Sequence, residues 1–340
     1  MLTGHRTWIF EQKPVIISTG TVGGPFEANG AIQDDFDTLH ADLWLGQDSY
    51  EKAHKVLFEE ACQKAMEKKG GIQKDQVQFI LDGDLINQIT PTNFACRTIG
   101  APYFGLFGAC STSMEGLALG AYIVNTKGAK YLLTGASSHD IAVEKQFRYP
   151  TEYGGQKPPT AQWTVTDAGV ALLSYSGEGP RVTSATIGRV IDMGLTDPFN
   201  MGGAMAPAAV DTIEAHLKER NVEPSYYDLI VSGDLGQIGQ EVSMDLFKKH
   251  GIPIREEQYQ DCGFMIYREG QPVLAGASGA GCSATVVYGH LLNRMKKGEF
   301  KRMLVVATGA LLSPLSFQQN ESIPCIAHAV SIEYGGEQSI

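Results

Sequence analysis

Residues 107–116 read FGACSTSMEG, a glycine-rich turn with Cys110 near its centre. A short apolar run at 103–107 precedes the turn, and a helical pattern of small and apolar residues at 114–124 follows it. This order predicts a strand, a tight turn and a helix, with Cys110 at or near the helix N-terminus. Free N–H groups and the helix dipole favour a thiolate there, which suits a nucleophile. The alternative is an inert buried thiol, because free cysteine is among the most buried residue types.

The Cys110 turn has a counterpart later in the chain, and two further motifs repeat as well. All three pairs occur in the same order, which chance does not readily explain. They predict two homologous halves, residues 1–180 and 181–340. The pairs are GACSTS at 108–113 with AGCSAT at 280–285, ILDGDL at 80–85 with IVSGDL at 230–235, and LTGA at 133–136 with ATGA at 307–310.

Short apolar runs alternate with helical patterns along the chain. The runs at 77–81, 131–134, 229–231 and 303–307 each lead into a glycine, as buried strands of a covered sheet do. Helical periodicity separates them, as in residues 53–64. The alternation predicts an α/β architecture with parallel or mixed sheets.

The composition of the 340 residues, with 43% apolar and 19% charged side chains, is that of a folded globular protein. A formal net charge of −11 and the absence of a basic run argue against a nucleic-acid partner and against adhesion to anionic lipid. The sequence has no signal-peptide pattern and no window of ~20 apolar residues. We therefore expect an intracellular protein that reaches any membrane through a partner. Six scattered cysteines and the lack of a nucleotide or metal motif predict no bound metal and no cofactor.

Residues 144–163 combine cations and aromatic rings in a segment broken by proline and glycine. Such a loop can bind a planar anion through charge-assisted hydrogen bonds and stacking. An ordinary surface excursion is the alternative. The cations are Lys145, Arg148 and Lys157, and the aromatic residues are Phe147, Tyr149, Tyr153 and Trp163.

Three histidines are candidates for a base beside Cys110. His139 follows a strand end, where sites of α/β folds tend to lie. His290 lies inside an apolar helical pattern, and His328 lies in the last strand-like run beside Cys325. The last two positions are also typical of structural core histidines.

The duplicated Gly-Cys-Ser turns resemble those of the thiolase superfamily, which includes thiolases and type III ketoacyl synthases. The resemblance implies a thiolase-like α/β fold, in which two duplicated halves form a layered α-β-α-β-α core. It maps the acylated cysteine of these enzymes to Cys110. It also maps the second active cysteine of thiolases, within PCIAHAVSIE at 324–333, to Cys325.

Two catalytic positions depart from the enzymes that the chain resembles. In type III synthases a histidine follows the second-half strand, whereas this chain has SGDL at 232–235. The second position, a His or Asn in a glycine-rich turn, maps near 278–281, which holds neither residue. The resemblance therefore implies a thiolase fold without its catalytic partners.

Over nearly the whole chain the sequence resembles the stage V sporulation protein AD family of spore-forming Bacillus-type bacteria. The resemblance implies binding of dipicolinic acid, pyridine-2,6-dicarboxylate, and a role in its uptake into the developing spore. It also implies membrane proteins of the same sporulation complex as partners, and a peripheral place on the inner membrane of the developing spore. A homodimer is expected by analogy with the enzymes.

These inferences together predict a non-catalytic binding protein with its pocket between the halves. Backbone N–H groups of the turn would bind one carboxylate of the ligand, a cation of residues 144–163 the other, and an aromatic ring would stack on the pyridine. The ligand enters as the free dianion or as its neutral calcium chelate, which would not need the cation. The residues predicted for the site are Cys110, Ser111, Thr112, Arg148, Lys157, Trp163 or Tyr153, and His290.

The alternative is an acyltransferase or condensing enzyme that uses Cys110 as its nucleophile. In that case the base has moved, and His139, His290 or His328 would serve, with Cys325 assisting.

Overall fold

The structure of the chain is a computed structural model, and it describes residues 1–147 and 157–335. The strands are β1 Leu2–Thr3, β2 Thr7–Ile9, β3 Val15–Gly23, β4 Thr38–Leu39, β5 Phe79–Asp82, β6 Tyr103–Gly105, β7 Tyr131–Ser138, β8 Trp163–Thr164, β9 Asp167–Ser174, β10 Arg181–Thr186, β11 Leu229–Ser232, β12 Tyr259–Asp261, β13 Ala277–Ser278, β14 Arg302–Ala310 and β15 Cys325–Glu333. The α-helices are α1 Tyr50–Glu67, α2 Thr90–Ile99, α3 Thr112–Asn125, α4 Asp140–Phe147, α5 Met201–Arg220, α6 Gly236–His250, α7 Cys262–Met265, α8 Ala280–Thr285, α9 Leu292–Lys296 and α10 Pro314–Gln318.

Five strands of each half follow the same spatial order. The first half gives β6-β5-β7-β9-β3 and the second half gives β12-β11-β14-β15-β10. In both halves the first three strands run parallel, and the two remaining pairings are antiparallel. The repeated topology confirms the predicted duplication, while the boundary at residue 180 stays a prediction. The two sets of five strands are joined where Arg181 of β10 pairs with Val15 of β3, and the Ile16 and Val182 N–H groups donate to the carbonyls of Pro180 and Pro14 beside this pair.

Helices cover both outer faces of the sheets and also fill the space between them. Helices α1 and α2 pack on the first sheet, α5 and α6 pack on the second, and α3 and α8 lie between the two. This arrangement is the predicted α-β-α-β-α layering. The middle layer is apolar, and Met114 and Leu117 of α3 share one buried cluster with Val305 and Val330 of the second sheet. The two halves therefore share one core. Burial of each such side chain contributes ~1.5–3 kcal/mol to its stability.

The close packing of the middle layer requires a small residue where a helix meets a strand. Gly169 of β9 lies against α8, and a Cβ at this position would lie 2.5 Å from the carbonyl carbon of Ala284. Beyond α8 the helix continues through a π-helical stretch, Val286–Leu291, into α9. A π-helical turn holds one residue more than an α-helical turn. Here the π-helical turn lies in the helix layer between the sheets.

The predicted strands at 77–81, 131–134, 229–231 and 303–307 correspond to β5, β7, β11 and β14. Residues 144–163 are not the continuous loop that the sequence predicts, because 144–147 end helix α4 and Trp163 begins β8. In the described residues we find no helix with the length and apolar character needed to cross a membrane.

Candidate functional site

Cys110 lies in a half-buried 3-10 turn that links β6 to α3. Ala109 before it has a φ of +52°, in the left-handed region that residues with a Cβ rarely adopt. The Ser111 and Thr112 N–H groups donate to the carbonyls of Gly108 and Ala109, so both amides are engaged within the turn. This geometry confirms the predicted strand, turn and helix around Cys110.

The Cys110 turn rests on the end of β14, which belongs to the other half. A Cβ on Gly309 of β14 would lie 2.3 Å from the carbonyl oxygen of Gly108. Such a contact is shorter than van der Waals separation, so only glycine fits at this position. The turn is therefore positioned by both halves.

A cavity of about 290 Å³ opens at Cys110. Its size is close to the lower end of the ~300–1,000 Å³ range of small-molecule sites, which suits a ligand of about one ring. The first half contributes residues 84–89 and Glu144 to the lining, and the second half contributes Ser278 and residues 310–314.

The carboxyl group of Asp234 is buried beside Cys110. It accepts hydrogen bonds from the Thr308 hydroxyl at 2.8 Å and from the Gly279 backbone N–H at 3.1 Å, and it lies near the Cys110 thiol. Burial raises the pKa of Asp234 to about 6, and its hydrogen bonds oppose that rise. Sequence reasoning identified the SGDL motif but gave Asp234 no role. The signal that could have found it is the pairing of IVSGDL with ILDGDL in the other half.

The cavity wall is acidic in its described part. The Asp84 carboxyl accepts hydrogen bonds from the Thr92 N–H and hydroxyl and from the Ile86 N–H, and burial raises its pKa to about 6. Glu144 is buried and accepts a hydrogen bond from the Thr164 hydroxyl at 3.0 Å. Neither Lys nor Arg occurs among the described lining residues, so the charge of an anionic ligand needs a cation from elsewhere.

Lys157 lies behind the cavity wall and reaches it through Glu144. Its ammonium is 3.4 Å from the Glu144 carboxylate and lies over the Trp163 ring, 5.1 Å from the centroid. Trp163 in turn stacks on Phe26, with ring centroids 4.6 Å apart and an interplanar angle of 26°. Neither Lys157 nor Trp163 belongs to the lining, and their contact with a ligand stays a prediction.

The three histidines considered as bases lie outside the described lining of the cavity. Nε2 of His139 is 2.8 Å from the carbonyl oxygen of Leu43, and Nδ1 of His290 is 2.7 Å from the Asp35 carboxylate. Burial lowers the pKa of His139 and of His328 to about 4, so both imidazoles are neutral at neutral pH.

The remaining predicted residues are Cys325, Arg148 and Tyr153. Cys325 is buried at the start of β15, where its thiol donates to the carbonyl of Ile323. Arg148 and Tyr153 lie outside the described residues.

The fold is similar to that of thiolases and of type III ketoacyl synthases. Human mitochondrial 3-ketoacyl-CoA thiolase matches with a TM-score of 0.59 and 11% identity, over 97% of this chain and 99% of the thiolase. The 3-oxoacyl-[acyl-carrier-protein] synthase III of Aquifex aeolicus VF5 matches with a TM-score of 0.57 and 14% identity, over 94% of this chain and 100% of the synthase. The chain therefore has a thiolase-like fold, as the sequence predicts.

The sequence comparisons identify the family within this fold class. Residues 4–333 match the family model of stage V sporulation protein AD. Stage V sporulation protein AD of Bacillus subtilis (strain 168) is 45% identical over 338 residues, which cover 99% of each chain. The chain belongs to the stage V sporulation protein AD family.

The raised pKa of Asp234 predicts a pH-dependent effect of Asp234→Asn on stability. An unfolded Asp ionises near pH 3.9, whereas Asp234 in the folded chain ionises near pH 6, so its stabilising contribution is complete below about pH 4 and is lost as the pH rises through about 6. A difference of about 2 between the pKa values of Asp234 in the folded and unfolded chain corresponds to about 3 kcal/mol in the free energy of unfolding.

Urea unfolding at about pH 4 and about pH 7 tests this prediction for both proteins. The free energy of unfolding of the wild type, relative to Asp234→Asn, should fall by about 3 kcal/mol between the two pH values. A relative stability that stays constant across this range contradicts the raised pKa.

Proposed function

We propose that the chain binds dipicolinic acid in the cavity beside Cys110 and serves its uptake into the developing spore, without catalysing a reaction. The observation that carries the proposal is the cavity of about 290 Å³ that opens at Cys110 and is lined by residues of both halves. Membership of the stage V sporulation protein AD family supports the link to sporulation.

The ligand proposed for the cavity is one aromatic ring with two carboxylates. Residues of both halves enclose a volume suited to a molecule of this size. One carboxylate would lie at the Cys110 turn, where the dipole of α3 favours an anion although the Ser111 and Thr112 N–H groups are engaged within the turn. The second would lie toward Glu144, behind which Lys157 is held.

The charge of the ligand can be balanced in two ways at this acidic wall. Lys157 can leave Glu144 and pair with the free dianion, since its ammonium is already 3.4 Å from the Glu144 carboxylate. Alternatively, calcium enters with the ligand as a neutral chelate, and the Lys157–Glu144 pair stays intact. Titrations with and without calcium distinguish these two routes.

The surroundings of Cys110 support binding rather than catalysis. A condensing enzyme needs a base that takes the thiol proton and donors for the thioester oxygen. Where type III synthases carry a histidine after the second-half strand, this chain has SGDL at 232–235, and its Asp234 is buried. His139 and His290 are hydrogen-bonded to Leu43 and Asp35 instead. A catalytic unit that lacks one of its members keeps little of its rate.

Calorimetric titration with dipicolinate tests the proposed site. Lys157→Ala removes the ammonium that would pair with the free dianion, so the dianion should bind at least about tenfold more weakly, which corresponds to the free energy of one charged hydrogen bond. With calcium present the loss should be smaller, because the chelate is neutral. Cys110→Ala should weaken binding in both arms.

Lys130→Ala is the matched control for Lys157→Ala. Lys130 lies over the Tyr131 ring at 5.0 Å, much as Lys157 lies over Trp163, but it does not line the cavity. The affinity of the Lys130→Ala variant for dipicolinate should stay within about twofold of that of the wild type. If Lys157→Ala and Cys110→Ala both bind like the wild type, the ligand does not occupy this cavity.

The alternative function, acyl transfer to Cys110, is favoured by one observation, the position of Cys110 at the start of α3 beside a cavity. Intact-mass spectrometry after incubation with acetyl-CoA or malonyl-CoA tests it. We expect no mass gain on Cys110, because no described lining residue is a histidine base. An acyl adduct on this residue, absent from Cys110→Ala, would establish the enzyme instead.

We propose that the chain works at the inner membrane of the developing spore, through membrane proteins of the same sporulation complex. In the described residues no helix is long and apolar enough to cross the membrane, and we propose that the partner supplies the membrane attachment. A homodimer is proposed by analogy with the enzymes of this fold. Light scattering tests it, and a constant mass of 36.7 kDa at all concentrations excludes it.

A further inference from the structure

A second cavity lies on the outer face of the first half, in a groove between α1 and α2. Its volume of about 260 Å³ is close to that of the cavity at Cys110, and the two share no lining residue among those described. A cavity of this size holds a group of about one ring. The charged and apolar lining of this α1–α2 groove consists of Glu51, Lys52 and Lys55 of α1 and of Pro91, Phe94 and Arg97 of α2.

The spacing of these residues explains why they face one groove. Residues three apart lie on the same side of an α-helix, one above the other. Lys52 and Lys55 are three apart on α1, and Pro91, Phe94 and Arg97 follow one another at the same spacing on α2. One helix therefore contributes a cationic stripe, and the other contributes an apolar stripe that ends in a cation.

Acids in and beside the groove pair with its lysines. The Lys52–Asp48 pair is mostly exposed, and an exposed ion pair contributes little to stability. The Lys52 ammonium can therefore turn toward a bound anion at small cost. The ion pairs are Lys52 with Asp48 at 2.6 Å, Lys55 with Glu59 at 3.1 Å, and Lys145 of α4 with Glu51 at 2.7 Å.

Arg97 is the cation of the groove that these pairs leave over. No carboxylate among the described residues pairs with Arg97, and its guanidinium lies over the Phe94 ring, 4.7 Å from the centroid. Phe94 is 45% exposed and Arg97 is exposed as well, so both groups are accessible to a ligand. In a chain with a formal net charge of −11, the groove thus holds a local excess of positive charge beside an aromatic ring.

We propose that the α1–α2 groove binds a phosphate ester whose organic part is apolar. The planar Arg97 guanidinium would bind two phosphate oxygens, and the Lys52 ammonium would bind a third. The apolar part of the ligand would lie against Phe94 and Pro91. A phosphate is favoured over a carboxylate because cations reach the groove from both helices, and a phosphate has up to three terminal oxygens for them.

Two sources supply a ligand of this chemistry, a soluble phosphate ester and the headgroup of an anionic phospholipid. The inference goes beyond the proposed function, because it concerns a second site with its own lining. The experiment therefore has one arm for each source and reports on dipicolinate separately.

Titration calorimetry of the full chain with phenyl phosphate tests the soluble source. Arg97→Ala removes the guanidinium, so phenyl phosphate should bind at least about tenfold more weakly, as expected for the loss of one charged hydrogen bond. Phe94→Ala should weaken phenyl phosphate more than inorganic phosphate, because only the ester carries an apolar group. Both positions are exposed on α2 and alanine is a strong helix former, so both variants should fold, which circular dichroism checks.

Vesicle flotation tests the lipid source. The vesicles contain phosphatidylglycerol and phosphatidylcholine in one sample and phosphatidylcholine alone in the other. If the headgroup is the ligand, the wild type floats with the phosphatidylglycerol vesicles only, and Arg97→Ala floats about tenfold less. Added salt should weaken this binding, because it screens the charges.

Lys130→Ala is the matched control for Arg97→Ala in both arms. Lys130 is also an exposed cation over an aromatic ring, 5.0 Å from the Tyr131 centroid, but it lines neither cavity. Binding by Lys130→Ala should stay within about twofold of the wild type.

Three results would overturn the inference. The first is the absence of binding that depends on Arg97 in both arms. The second is a loss of dipicolinate affinity in Arg97→Ala, which would make the groove the dipicolinate site. The third is a different mass of Arg97→Ala and wild type in light scattering, which would assign the groove to a second copy of the chain. The dipicolinate titration of Cys110→Ala tests the other cavity, so failure of the proposed function is distinguished from failure of this inference.

Discussion

The site depends on the close approach of the Cys110 turn to the end of β14. The carbonyl oxygen of Gly108 lies so near Gly309 that no side chain fits between them. Because the turn belongs to one half and β14 to the other, the contact can form only when both sheets are folded and packed. The cavity, the thiol and the Asp234 carboxyl are consequently products of the assembled fold and of neither half alone.

Buried acids are a second constraint on the molecule. Burial raises the pKa of Glu27, Asp82 and Asp167, in addition to that of Asp234. Groups of this kind favour the folded state at low pH and oppose it as the pH rises through their folded pKa. At Asp234, hydrogen bonds from Thr308 and Gly279 partly replace the lost water, whereas the two carboxyl oxygens of Asp82 have no hydrogen-bond partner among the described residues.

Much of the fold follows from the sequence because its signals are local and repeated. The glycine-closed runs mark strands, and the three paired motifs predict the duplication that the strand order shows. The Cys110 turn can be predicted equally well, since its glycine, its cysteine and the small residues that follow determine the local backbone conformation. These features need only neighbours in the chain.

The composition of the site was harder to predict because it depends on pairs of residues distant in sequence. Asp234 comes near Cys110 only through the packing of the two halves, so the repeated motif at 232–235 can draw attention to Asp234 but cannot show that Cys110 is its neighbour. The sequence predicts Lys157 and Trp163 as ligand contacts. In the structure Lys157 pairs with Glu144, and Trp163 stacks on Phe26. His290 lies in the π-helical stretch, where it pairs with Asp35 of the other half.

The sharing of the middle helix layer has a consequence for synthesis of the chain. Helix α3 belongs to the first half but packs against β14 and β15 of the second. When residues 1–180 have left the ribosome, Met114 and Leu117 therefore lack part of their apolar cover. At ~5–20 residues per second, the missing strands follow roughly 10–30 s later. During that interval the nascent chain presents an open apolar face, and this makes it a natural client for a chaperone that shields apolar surface.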